Sequence, residues 1–240
     1  MGDGETRGGA HDGGVTEMSF QIAIDGPAGA GKSTVARIVA AELGFIYVDT
    51  GAMYRAMGLY FADRKVDTDS EQAVNDSLSG AAVALKIEHG EQHVILNGTD
   101  VTDRIRTEQA GMMASKTSRY PENRRKMTAM QRDIAEKNSV VMDGRDIGTV
   151  VLPDAPLKIF LTASVHTRAL RRFGELQQKG ERPDLAEIEE DIEKRDYADM
   201  HRETAPLKQA SDAVYLDTSD MTAEEAAEKI ICLAKERMNG

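Results

Sequence analysis

The sequence predicts an α/β protein built on a parallel sheet with helices against both faces. Five short apolar runs, nearly continuous rather than alternating, read as strands covered on either side. Segments of helical periodicity lie between them, and strands that alternate with helices imply a doubly wound core. A glycine-rich loop joins the first run to the first helical segment, a junction suited to anionic ligands.

In chain order the runs are Phe20–Ile24, Phe45–Val48, Ser139–Met142, Leu157–Leu161 and Ala213–Leu216. After the first, Val35, Ile38, Val39 and Leu43 form the apolar stripe of a helix that Gly44 ends. Pro121 is placed to open another helix, through Met127, Met130 and Ile134. Near the C-terminus, Thr222 with Glu225 three residues on makes a capping box. Ala226, Ile230 and Ala234 then share one face of the helix it starts.

Two segments depart from this rhythm. Ala81–Ile87, His93–Leu96 and Thr99–Val101 read as short strands, with turns at His89-Gly90 and Asn97-Gly98. Strands joined so tightly are antiparallel, so they form a small insert on the parallel core. The second segment, roughly His166–Asp184, is polar and Arg-rich and carries Gly174, Gly180 and Pro183, the composition of a mobile flap. Residues 1–17 are Gly-rich, acidic and almost free of large apolar side chains, and read as a disordered extension. The expected organisation is that extension, core over residues 18–76, 119–165 and 185–240, the insert over 77–118 and a lid over 166–184.

With 30 Lys+Arg against 41 Asp+Glu, the net charge of −11 argues against a general nucleic-acid or anionic-membrane binder, although a basic pocket on an acidic body remains open. No stretch approaches the ~20 apolar residues of a membrane span, and the N-terminus lacks the basic start and apolar core of a secretory signal. The single Cys232 cannot form an internal disulfide. A cytoplasmic protein is expected, with monomer as the default state.

The strongest chemical signal is Gly26-Pro27-Ala28-Gly29-Ala30-Gly31-Lys32-Ser33, followed by Thr34, which matches G-x-x-x-x-G-K-[ST] in full. It lies between a strand and a helix, as the pattern requires. Its backbone N–H groups can surround phosphate oxygens, Lys32 can reach the β/γ-phosphates, and the Ser33 hydroxyl can ligate Mg²⁺. A nucleoside triphosphate with Mg²⁺ is the expected ligand. No Asn-Lys-x-Asp is present for reading guanine. A kinase of a small acceptor and a non-catalytic ATP-binding switch are the readings left open.

Arg55, Arg106, Arg124, Arg145, Arg168, Arg171, Arg195 and Arg202 all fall near turns, helix starts or the flap. An acceptor that is itself a phosphate monoester needs such guanidinium clamps, because two polyanions must be held in line. Arg125 and Arg132, on the helix after Pro121, read instead as decoration of a solvated face. The strand Ser139–Met142 runs into Asp143-Gly144-Arg145-Asp146. An acid at the carboxyl end of a buried strand points toward the phosphate loop, where Asp143 can order a Mg²⁺ water.

Taken together, Ile24-Asp-Gly-Pro-Ala-Gly-Ala-Gly-Lys-Ser-Thr34, Asp49-Thr-Gly-Ala-Met-Tyr-Arg55, Ile105-Arg-Thr107, Asp143-Gly-Arg-Asp-Ile-Gly-Thr-Val-Val151, Arg195-Asp196 and Ala205-Pro-Leu207 resemble the bacterial cytidylate kinases. The resemblance runs from about residue 20 to 219. It implies the fold of a nucleoside monophosphate kinase, with a five-stranded parallel sheet, a CMP-binding insert and a lid. It implies transfer of a phosphoryl group from ATP to CMP or dCMP, with UMP or a small alcohol as the alternative acceptor. By position, Ser115, Arg124 and Asp146 would face the cytosine ring. Arg55 and Arg145 would hold the CMP phosphate beside Thr50, while Arg195 and Asp199 meet the ribose and Arg202 completes the cluster. Arg168 and Arg171 would be lid arginines closing over ATP. Lys32, Arg145, Arg168, Arg171 and Arg195 would then be the catalytic cations.

The histidines His11, His89, His93, His166 and His201 form no ligand set by spacing. Cys232, between Ile231 and Leu233, reads as a small packed hydrophobe.

Overall fold

The computed structural model describes residues 19–88 and 91–239, so the N-terminal extension and the His89-Gly90 turn lie outside the described residues. Its sheet contains β1 (Gln21–Asp25), β2 (Ile46–Asp49), β6 (Val140–Gly144), β7 (Leu157–Thr162) and β8 (Val214–Asp217), in the order β2-β6-β1-β7-β8. All four pairings are parallel. The five strands predicted from apolar runs are these five. Their continuity has the expected cause, since β1 feeds both faces at once. Ile22 and Ile24 pack with Val35, Val39 and Ile230 of α1 (Lys32–Leu43) and α8 (Ala223–Asn239). Ala23 faces the other way, toward Met53, Met57 and Phe61 of α2 (Thr50–Asp63) and Met127 of α5 (Pro121–Lys137).

Local signals end the elements where the residues require. Gly44 takes φ 68°, a left-handed cap that returns its N–H to Ala40 and Ala41. The Thr222–Glu225 capping box forms reciprocally, at 2.8 Å and 3.1 Å. The insert strands β3 (Val83–Glu88), β4 (Glu91–Leu96) and β5 (Thr99–Asp100) pair antiparallel. Asn97 and Gly98 both adopt positive φ between Leu96 and Thr99, the backbone that a two-residue hairpin turn demands. The same region also holds α3 (Glu71–Ser77) and α4 (Glu108–Thr117), and Gly58 of α2 lies against α4 at Ala110 and Ala114.

Three expectations need correction. The segment read as an irregular flap is mostly helix: α6 spans Val165–Gln178, capped by Ser164, and α7 follows at Leu185–His201. Only residues 179–184 are irregular. Gly174 sits within α6, where an added side chain would meet open space, and lowers helix propensity without ending the helix. Arg132 does not merely decorate its helix, because its guanidinium donates to the carbonyls of Val151 (2.8 Å) and Val150 (2.7 Å). Cys232 is exposed, since the inward face of α8 is taken by Ala226, Ile230 and Ala234.

Candidate active site

β1 lies at the centre of the sheet, with the chain winding outward to either side of it. The carboxyl end of such a strand opens onto a crevice. Gly26 leaves β1 at φ 154°, and a Cβ there would lie 1.9 Å from the Leu161 carbonyl oxygen of β7, so only glycine fits. Gly29 and Gly31 also adopt positive φ, and α1 begins at Lys32. The loop Gly26–Gly31 thus turns its backbone around the helix N-terminus, as the sequence predicted. Lys32 is buried and its ammonium donates to the Pro27 carbonyl at 2.7 Å. Burial, followed by the nearby Arg145, pushes this ammonium down to about 7.

Beside the loop, the Ser33 hydroxyl donates to Asp143 Oδ2 at 2.9 Å and the Tyr47 hydroxyl to Oδ1 at 3.0 Å. Burial, and then Asp49 on the adjacent strand, push the Asp143 carboxyl up to about 6. Buried Thr50 donates to the Asp143 carbonyl at 2.7 Å. Ser33 and Asp143 are a sparse donor set, and among the described residues no group of three potential metal ligands occurs. One hydroxyl and one carboxylate suit Mg²⁺, which keeps waters and takes its other ligands from substrate phosphates.

Across the crevice lies a cluster of arginines and carboxylates. Asp146 accepts from Arg124 in a buried pair, with Arg202 3.7 Å from its other oxygen. The Arg124 guanidinium also lies over the ring of Tyr54, 5.8 Å from its centroid. Arg145 donates to Asp199 at 2.8 Å, and Arg55 to Asp49 at 3.1 Å. Arg202 Nη2, the atom 3.7 Å from Asp146 Oδ1, is buried and has no hydrogen-bond partner among the described residues. Burial and the neighbouring Arg124 push the Arg202 guanidinium down. A set of half-buried cations with one unsatisfied donor is competent to receive an anion.

Of the residues expected here, Arg124, Arg145, Asp146, Asp199 and Arg202 come together, while Arg55 pairs with Asp49 and Thr50 meets the Asp143 carbonyl. Ser115 and Arg195 are exposed and lie outside the cluster's ion pairs. Arg168 and Arg171 of α6 touch the phosphate loop from its carbonyl side. Arg168 is buried, donates to the Ala28 carbonyl at 3.0 Å and forms a two-pronged pair with Asp196 at 2.6 and 3.1 Å. Arg171 donates to the carbonyls of Ala30 (3.2 Å) and Thr218 (2.8 Å). Arg171 also lines a cavity of about 250 Å³ with Gly31, Thr34, Thr218 and Met221.

Sequence reasoning gave no role to Asp25, Tyr47, Asp49 or Asp196. A signal existed for two of them: Asp25 and Asp49 end parallel strands and Asp143 lies one residue from the end of its own, so the same placement rule applies. For Asp196 the only signal was its adjacency to Arg195. Gln92 of the insert, whose side-chain oxygen accepts from the Asp49 N–H at 3.0 Å, had none.

Comparison with known proteins gives a consistent picture. The family profile described as cytidylate kinase matches residues 22–236. A cytidylate kinase of Lactobacillus gasseri is 54% identical over 211 residues, covering 88% of this chain and 92% of its own. One from Caldicellulosiruptor saccharolyticus is 47% identical, covering 88% of this chain and 94% of its own. One from a Thermotoga species is 45% identical, covering 92% of this chain and all of its own.

Proposed function

The chain belongs to the cytidylate kinase family, and from that membership we propose that it transfers the γ-phosphoryl group of ATP to CMP or dCMP, giving ADP and the nucleoside diphosphate. The observation that carries the reading is the pairing of a complete phosphate loop with the arginine cluster around Asp146. A donor polyanion and an acceptor monoester need two cationic sites facing one crevice.

On the donor side, the loop N–H groups and Lys32 hold the phosphates, and the 250 Å³ cavity beside Thr34 and Thr218 receives the nucleoside. Ser33 and Asp143 would hold Mg²⁺, which supplies charge neutralisation at the transferring group. On the acceptor side, Arg55 and Arg145 hold the CMP phosphate, and Arg202, whose Nη2 is ion-paired with Asp146 but makes no hydrogen bond among the described residues, lies nearby. Asp146 faces the base: cytosine presents an N4 amine donor where uracil presents an O4 acceptor, so a carboxylate favours CMP.

Transfer needs no covalent intermediate and no dedicated base, because the acceptor phosphate oxygen is already a nucleophile. The transition state is loose, so the protein's work is alignment and charge neutralisation. Lys32, lowered by burial, regains full charge as the phosphates arrive, since their anionic oxygens oppose its desolvation. Arg168 and Arg171 act through the loop whose carbonyls they hold. Substrate contacts by Ser115 and Arg195 require movement of α4 and α7 toward the crevice, a closure that also excludes water.

The test is an assay of ADP release with CMP, dCMP, UMP, AMP and shikimate as acceptors. Turnover with CMP and dCMP well above the rest is expected. ATP binding with no acceptor-dependent release would instead make the chain a nucleotide-binding switch. No helix among the described residues is long and apolar enough to cross a membrane. We place its work in the cytoplasm, as a monomer acting on small molecules and not on nucleic acid.

A further inference from the structure

Asp25 is the last residue of β1 and is buried, yet it belongs to neither the donor nor the acceptor contacts above. Its two carboxylate oxygens accept from successive backbone groups, Ile147 N–H and Gly148 N–H, each at 2.7 Å. These are the first free donors of a wide π-helical turn, Ile147–Val151, which starts directly after Arg145 and Asp146. A carboxylate is the group best suited to the positive end of such a turn. The approach is close: a Cβ on Gly148 would come within 3.4 Å of Asp25 Oδ2 and 3.2 Å of Lys158 Cδ. At the other end, the Arg132 guanidinium donates to the last two carbonyls, those of Val150 and Val151. The turn is therefore held at each end by a charge of the matching sign.

We propose that Asp25 and Arg132 are positioning residues that clamp this turn, fixing where Arg145 and Asp146 stand relative to the phosphate loop. The clamp is rigid at its Asp25 end. Asp25 is hydrogen-bonded in the sheet between β6 and β7, opposite Gly144 and Phe160, and its next residue is Gly26, the start of the loop. One residue thus ties the phosphate loop to the turn that follows Arg145 and Asp146. Asp146 itself sits at φ −144° and ψ 27°, outside both helix and strand, and its backbone is held through the turn, whose Val150 and Val151 N–H groups donate to its carbonyl at 2.9 and 3.2 Å.

This inference rests on the proposed cytidylate kinase function, and its test separates the two. Wild-type protein is assayed first: absence of CMP-dependent ADP release overturns the functional reading itself. With activity present, Asp25→Asn and Arg132→Ala are compared with wild type for KM and kcat with CMP and UMP, for binding of a non-hydrolysable ATP analogue by calorimetry, and for melting temperature. Asp25→Asn keeps the volume but turns an amide donor toward one of the two N–H groups. It should lower kcat/KM for CMP about tenfold, narrow the CMP-over-UMP preference and leave the analogue's affinity within about twofold. Arg132→Ala, at an exposed position, should shift the same preference in the same direction by about threefold. Equal proportional losses with CMP and UMP, or parallel weakening of the ATP analogue, would assign both residues to general stability and overturn the clamp. If Asp25→Asn does not fold, Arg132→Ala decides alone: an unchanged CMP-over-UMP ratio sinks the proposal.

Discussion

The phosphate loop occupies consecutive residues, Gly26–Thr34, whereas the acceptor cluster draws Arg55 from α2, Arg124 from α5, Arg145 and Asp146 from the chain after β6, and Asp199 and Arg202 from the end of α7. The loop offers mainly backbone N–H groups, whose directions are set by three positive-φ glycines and the start of a helix. The cluster offers guanidinium side chains that already hold carboxylate counter-charges: Arg124 with Asp146, Arg145 with Asp199 and Arg55 with Asp49. One side is preformed by geometry. The other is preformed by charge, and an arriving phosphate must compete with or join existing ion pairs. The donor side should therefore fail when a charge is removed, and the acceptor side when a pairing pattern is disturbed.

The largest expected effect tests the donor side. Lys32→Met should reduce transfer on the order of 10²-fold or more, by removing a cation from the transition state. The fold should survive. A lysine held down at about 7 costs stability as pH falls from its ordinary value near 10.5 toward 7, and methionine removes that cost. ADP release and a thermal melt at pH 7.5 check both halves. A folded variant with near-normal turnover would break the assignment of the loop.

Next in size is Asp146→Ala on the acceptor side. Its kcat/KM for CMP should drop at least about 10–100-fold, with UMP changing much less, because a buried polar contact is lost to one base only. The variant also leaves Arg124 and Arg202 facing each other without their shared anion, so its melting temperature should fall as well. Assays belong well below that temperature, after ATP binding is shown to be normal. Proportional losses with both pyrimidines would mean that the cluster does not read the base.

A smaller effect, with a definite sign in pH, concerns the carboxylate between the two sides. Asp143 is raised to about 6, so wild-type activity should fall as pH drops through about 6, where the carboxylate proposed to hold Mg²⁺ becomes protonated. Stability runs the opposite way for this group. Its raised folded-state pKa means its contribution is most favourable below about 4 and declines as pH rises through about 6. Asp143→Asn should accordingly lose about tenfold in kcat at pH 8, yet melt no lower than wild type there. The Ser33 and Tyr47 hydroxyls can rotate to meet the amide. A clear fall in melting temperature would show that the ionised form is what the fold requires.

The smallest effect sets the background for the others. Arg125 pairs with Glu122 in solvent on the outer face of α5, one residue from Arg124. Arg125→Ala should change neither CMP kinetics nor stability beyond about 0.5 kcal/mol. A marked rise in the KM for CMP would extend the cluster further along α5 than its ion pairs do.

Much of this protein was legible before any fold was known, and the reason is the range over which each signal acts. Strand β1, the glycine-rich loop and α1 are consecutive, and each is set by the conformational preferences of its own residues: apolar β-formers, glycines at positive φ, a helix stopped by Gly44. The Asn97-Gly98 hairpin and the Thr222–Glu225 cap are of the same kind. Residue type also singled out eight arginines near turns, helix starts and the flap, of which Arg124, Arg145 and Arg202 share a cluster of charges with Asp146 and Asp199 while Arg106 and Arg195 are exposed. Partnership is different. That Arg168 is buried against the Ala28 carbonyl and Asp196 on α7, that Arg132 closes a turn after β6, and that Asp25 opens that same turn all depend on side chains far apart in sequence. A lone arginine in a polar helix looks the same whether it faces water or a carbonyl. Only packing decides, because burial removes water as a partner and leaves each buried charge to whichever opposite group the fold has brought within reach.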